Sequence, residues 1–164
     1  MLPPARRVEM FEDDWQRARE LGLSRHEAAK VKDLESGYNP LRTDQEGVYA
    51  EIAFARYYGC DMDQVFHVGR DADKVDFWVQ GYRVDVKSTP IMGAPHLLVL
   101  PKSLEFSDVF FLVSVKPEGR LALLRGWAWR GEVEEYPAVP FVRPNPVHAV
   151  PLAHLREVRR RSYG

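Results

Sequence analysis

The sequence predicts an α/β fold, and three observations lead to its strands and helices. Residues 73–89, DKVDFWVQGYRVDVKST, read as a β-hairpin: two short runs rich in aromatic and β-branched residues, with Gln80-Gly81 as a two-residue turn between them. Residues 108–115, DVFFLVSV, form the unbroken apolar run that a strand buried on both faces requires. Ahead of both lie helical segments with capping signals and glycine stops. A chain of 164 residues accommodates one domain with a real core. The expected organisation is a helical arm over 1–40, a core over 43–127, and a proline-rich segment with a basic tail over 137–164.

From the start of the chain, Val8, Phe11, Trp15, Ala18 and Leu21 fall on one stripe and predict a helix that ends at Gly22. Ser24-Arg25-His26-Glu27 has capping-box spacing and predicts a second helix to about Ser36, before Gly37. These helices are expected to pack on the core or on a second subunit, with His26 exposed. Thr43-Asp44-Gln45-Glu46 is another capping box, for a helix from Asp44 to Tyr58 with Gly59 as its stop. Val48, Ile52 and Ala55 make its buried stripe, and Ala50 and Ala53 keep it slim. Gly47 costs roughly 1 kcal/mol against alanine, which suggests that another backbone comes close there. Residues 65–68, VFHV, read as a short strand, with His67 a core, exposed or substrate-contacting residue. Residues 69–74 read as a polar loop, holding Asp71 and Asp73, that delivers Asp76.

After the hairpin, residues 96–100 read as a third strand and 101–107 as a short helix or turn. Residues 117–120 read as a turn, and 121–127 as a strand paired with 108–115. The five prolines of residues 137–151 predict an extended segment wrapping the surface, leading into a short helix over 152–158.

Net charge is −1 at pH 7, so the chain is not basic throughout. Its basic end, with Arg156, Arg159, Arg160 and Arg161, suits either phosphate contacts or a solubilising tail. Trp127 and Trp129, flanked by Arg125 and Arg130, suit base stacking, core packing or an interface that makes a homodimer. One cysteine, Cys60, leaves no internal disulfide, zinc ribbon or cluster on four cysteines of this chain. No apolar run reaches membrane-span length and no apolar leader opens the sequence, so the expectation is a cytoplasmic protein with no membrane partner. There is no repeat and no glycine-rich phosphate loop.

The hairpin carries the chemistry. Counting outward from Gln80-Gly81 sets Val79 opposite Tyr82, Trp78 opposite Arg83, Phe77 opposite Val84 and Asp76 opposite Asp85. The period of two then puts Phe77, Val79, Tyr82, Val84 and Val86 on one face, and Asp76, Trp78, Arg83, Asp85 and Lys87 on the other. Two carboxylates directly opposite sit about 5 Å apart and repel. With a lysine one step along, they suggest a divalent cation between the acids and an ammonium aimed at the anion the cation holds. Hard oxygen donors favour magnesium or manganese over zinc. Only six lysines occur in the chain, so Lys87 beside two acids is unlike ordinary surface filler. The alternatives are an exposed charged face, or a metal-free cluster in which Lys87 neutralises both acids. Glu51 lies beside the buried stripe of its helix, so that helix either brings it to the hairpin acids or leaves it as a surface residue.

A helix glutamate, then Asp, then Asp-x-Lys on a hairpin resembles the PD-(D/E)XK nuclease superfamily. The matching residues lie within Gly47-Val48-Tyr49-Ala50-Glu51-Ile52-Ala53, at Asp76, and within Asp85-Val86-Lys87-Ser88-Thr89, and the resemblance covers roughly residues 43–127. Val75 stands where the family often has proline. The resemblance implies a restriction-endonuclease-like core of order α-β-β-β-α-β, a mixed β-sheet of about four to five strands flanked by helices, and small size makes the chain most similar to junction resolvases and phage-type nucleases. It also implies a Mg²⁺-dependent hydrolase of DNA phosphodiesters, endo- or exonucleolytic, with Mn²⁺ able to substitute and RNA open as a substrate. Asp76, Asp85, the Val86 carbonyl and Glu51 would hold the metal. Lys87 would orient water or stabilise the transition state. Arg83, Trp78, His96 and Lys102 are candidate substrate contacts. The rival expectation is a non-catalytic nucleic-acid-binding or assembly subunit that keeps the nuclease fold.

Overall fold

The computed structural model describes residues 1–29, 40–66, 75–141 and 143–160. The expected end of the second helix near Ser36, His67, Asp71, Asp73 and Arg161 lie outside these residues.

The hairpin forms as its residues require. β2 (Phe77–Val79) and β3 (Tyr82–Thr89) pair antiparallel, with Phe77 opposite Val84, Trp78 opposite Arg83 and Val79 opposite Tyr82. Gln80 and Gly81 both take positive φ, 50° and 81°, as a two-residue hairpin turn demands. The apolar run becomes β5 (Val109–Lys116), every residue buried but the last. β3 and β5 run parallel, from Val84 opposite Val109 to Thr89 opposite Ser114. β6 (Leu121–Trp129) returns antiparallel to β5, with an irregularity after Leu112, and β1 (Arg6–Arg7) pairs with β6. The result is a five-stranded mixed sheet of order β1-β6-β5-β3-β2.

Alternation along β5 gives that sheet two apolar faces. Val109, Phe111 and Val113 pack, with Val84 and Val86, against Val48, Ile52 and Phe54 of α2 (Pro40–Tyr58). Phe110 and Leu112 face the other way, onto Leu97, Val99 and Val150 of a second sheet. That sheet has three antiparallel strands, β4 (His96–Val99), β8 (Arg143–Pro151) and β7 (Val139–Phe141), in the order β4-β8-β7. The molecule is therefore layered as helices, mixed sheet, small sheet. No helix among the described residues is long and apolar enough to cross a membrane.

Several expectations are corrected. Residues 8–13 are not helical, and a single helix α1 (Asp14–Ala29) runs through both Gly22 and Ser24. Gly22 is needed for contact rather than termination: a Cβ there would lie 2.7 Å from Gln45 Cα on α2. Ser24 does not cap; its hydroxyl bonds back to the Glu20 carbonyl, 3.1 Å away, as an interior helical serine does. The buried Asp14 carboxylate instead accepts the Phe11 N–H at 2.6 Å, just ahead of the first turn. α2 starts at Pro40, ahead of the Asp44 expected, since proline suits a first helical turn. It ends at Gly59 with φ 67°, as anticipated. Gly47 has no neighbour within 4 Å of its notional Cβ among the described residues, so no backbone approaches it.

Val65 and Phe66, the first half of the strand expected over 65–68, lie instead in a short helix, α3 (Asp63–Phe66); residues 67 and 68 lie outside the described residues. The third strand forms but leaves the main sheet to pair with β8. The proline-rich segment is not a loose wrap: it supplies β7 and β8, with Pro140 opposite Pro146. Residues 152–158 contain one 3₁₀ turn (Leu152–His154) and then an extended stretch bridged to Trp127 through Arg156.

Candidate functional site

β2 is only three residues long, so past Val84 no described strand pairs with β3 on that side. Asp76 sits at this gap. Its N–H still bonds the Val84 carbonyl at 3.2 Å, and its carboxylate accepts the Val86 N–H at 2.8 Å. Asp76 therefore fills the place a strand partner would have taken. The N–H and C=O of one strand residue point to the same side, so the Val86 carbonyl also faces this edge.

Asp85 and Lys87 alternate with buried Val84 and Val86, so they leave the sheet on the face away from α2. The Lys87 ammonium lies 2.9 Å from the Asp85 carboxylate. The Asp85 side chain lies beside that of Asp76. The Asp76 acidity falls accordingly: burial pushes its carboxyl well above the usual range, and the nearby Glu51 and Asp85 charges push it further, against the opposing Val86 N–H bond. Glu51 comes from the α2 side and is buried. Helix, hairpin start and β3 thus bring Glu51, Asp76, Asp85 and Lys87 to one open sheet edge.

Glu51 has a partner that sequence reasoning missed. Arg25 of α1 reaches its carboxylate at 2.7 Å and the Val65 carbonyl at 2.7 Å with its other terminal nitrogen. The bond spans 26 residues, and no local spacing signals it. It forms because α1 continues past Gly22 along α2.

The other candidate residues fall elsewhere. Arg83 donates two hydrogen bonds to the Asp108 carboxylate, at 2.8 and 3.1 Å, which lower its pKa to about 2. Trp78 is 61% exposed, on the outer strand. His96 packs on Phe141 in the small sheet, ring centres 4.8 Å apart. Lys102 is exposed on a 3₁₀ turn (Pro101–Glu105).

Among the described residues, no three His, Cys, Asp or Glu side chains stand ready-arranged around a metal position. The donor chemistry nevertheless fits a hard divalent cation. The neighbouring Asp85 charge already disfavours an ionised Asp76, and a cation between the two would relieve that repulsion. The Val86 carbonyl adds a neutral oxygen of the type magnesium and manganese accept. Glu51 is held to Arg25 and would join only by turning from it. Searches against protein-family models, characterised proteins and solved structures found nothing that matches this chain.

Proposed function

We propose that the chain is a Mg²⁺- or Mn²⁺-dependent nuclease of the PD-(D/E)XK type, hydrolysing phosphodiester bonds in DNA. One observation carries this reading: two neighbouring aspartates at an open sheet edge, with Lys87 in contact with one and the Glu51 charge near the other. The run of helix, hairpin, parallel crossover and antiparallel return supports the restriction-endonuclease-like core, although the intervening β4 belongs to a second sheet.

In this reading Asp76, Asp85 and the Val86 carbonyl hold the cation, and Glu51 completes the shell or fixes a water. When bound, the cation lowers the pKa of its water and clamps phosphoryl oxygens. Asp76 would hold it as the carboxylate. The Lys87 ammonium, placed by Asp85, points at the incoming phosphate, where it orients the attacking water or neutralises charge as the bond breaks.

The test is a panel of labelled single-stranded, duplex, flap and four-way DNA, incubated with Mg²⁺ or Mn²⁺. Wild type should cut, and EDTA, Asp85→Ala or Lys87→Ala should each abolish cutting while the fold persists. Metal-dependent cleavage that survives Asp85→Ala would falsify the assignment.

The non-catalytic reading has an observation of its own. Lys87 and Arg25 already neutralise Asp85 and Glu51, as a purely structural cluster would require. Calorimetric titration with Mn²⁺ separates the two: a structural cluster gives no binding heat.

A further inference from the structure

A second charged feature lies on the opposite edge of the five-stranded sheet. There the bridge between Trp127 and Arg156 continues the line of β1 along β6. A groove of about 560 Å³ opens beside it, lined by Arg6, Trp127, Arg156, Glu157, Arg159 and Arg160. Four arginines face one glutamate in a protein whose net charge is −1, so the positive charge is local.

The arginines differ in how they are held. Arg6 is spent on structure, bonding the Glu157 carboxylate at 2.7 Å and the Val158 carbonyl at 2.9 Å. Arg156 is oriented by Glu132 at 2.8 Å, and its guanidinium lies 5.5 Å from the Trp127 ring centre. Trp127 in turn stacks on Phe111, 17° from parallel and 6.1 Å between centres. Phe111, Trp127 and Arg156 are thus cross-strand neighbours running outward across the sheet to its edge, where the Arg156 side chain is 52% exposed. Arg159 and Arg160 are exposed, and no ion pair engages either among the described residues. The Tyr57 hydroxyl bonds the Arg159 carbonyl and anchors the backbone from which both project.

Unpaired guanidinium groups beside a planar cationic stacking surface match a ligand with repeated phosphates and flat bases. We propose that this groove binds single-stranded nucleic acid, with Arg159 and Arg160 on successive phosphates and a base stacked on the outer face of Arg156. The choice of nucleic acid over other polyanions rests on the nuclease reading. The groove itself, remote from Asp76 and Asp85, does not.

The experiment measures fluorescence anisotropy of a labelled oligothymidylate of about 12 nucleotides, a length within the usual single-strand site range. It is run in EDTA, so that cleavage plays no part. Relative to wild type, Arg159→Ala/Arg160→Ala should bind about tenfold more weakly at about 50 mM salt. It should also flatten the plot of log affinity against log salt by about 1.4, two phosphate contacts at about 0.7 each. Arg156→Lys keeps the charge and removes the plane, and should weaken binding at least about fivefold.

The proposal is overturned if wild type does not bind, or if the double variant keeps both affinity and slope. It is also overturned if inorganic polyphosphate binds as tightly as the oligonucleotide with Arg156→Lys neutral, or if only anionic vesicles bind. Binding without any cleavage sinks the nuclease reading and leaves the groove standing; cleavage with the double variant binding unchanged does the reverse.

Discussion

Gly22 and Gly47 lie on neighbouring helices under opposite constraints, and the same substitution at the two should have opposite signs. At Gly22 a methyl group would sit 2.7 Å from Gln45 Cα, 2.7 Å from its Cγ and 2.9 Å from its backbone nitrogen. Two of those three atoms belong to the backbone and cannot rotate aside, so α1 and α2 must separate. Forced overpacking costs about 1–3 kcal/mol, and a backbone clash belongs at the upper end. Alanine returns about 1 kcal/mol of helix propensity, leaving Gly22→Ala about 2 kcal/mol less stable. For a protein of this size that is a fall of about 4–8 °C in Tm. At Gly47 nothing described lies within 4 Å, so only the propensity gain remains. Gly47→Ala should therefore be more stable by about 1 kcal/mol, or about 2–4 °C. Urea unfolding followed by circular dichroism gives both values, and an unchanged m confirms that neither variant alters the unfolded reference. A Gly22→Ala protein as stable as wild type would refute the close-contact account of that glycine.

Two further outcomes follow from charge. The Asp76 pKa is raised in the fold, so its contribution favours the folded state below the unfolded carboxylate pKa and is lost as pH rises through the folded one. Asp76→Asn should thus raise the Tm of the metal-free protein at neutral pH, show no gain near pH 3, and abolish Mn²⁺ heat, by scanning and titration calorimetry. Asp108 is the opposite case, lowered to about 2 by Arg83, so its contribution is present above the ordinary carboxylate pKa and fades as pH falls towards 2. With both side chains partly exposed, Asp108→Asn should cost only about 1 kcal/mol at neutral pH, and the gap to wild type should close in acid.

The parts legible from sequence are those set by near neighbours. The hairpin register follows from a two-residue turn between period-two strands, and β5 from a run apolar at every position. The Asp76–Asp85 pair was readable because the hairpin count puts them together. What was not readable depends on distant chain. Gly22 reads as a helix stop until Gln45 is known to lie against it. Residues 137–151 read as a wrap because prolines disfavour long ladders, yet β4 offers a partner some fifty residues away. The Glu51–Arg25 bond depends on α1 continuing past both of its apparent breaks, so its absence from local pattern has the same cause.

The strand at residues 6–7 has a consequence for how the chain becomes folded. Arg6 is fastened to the Val158 carbonyl, 152 positions away, and to Glu157 beside it. During synthesis, the segment holding Arg6 waits for the 152 positions up to Val158 before its lock exists. Such long closures slow the search for the native arrangement and favour late, all-at-once completion. Loss of Arg6 should therefore loosen the segment around Glu157 and Val158, and loss of that segment should free the strand at residues 6–7.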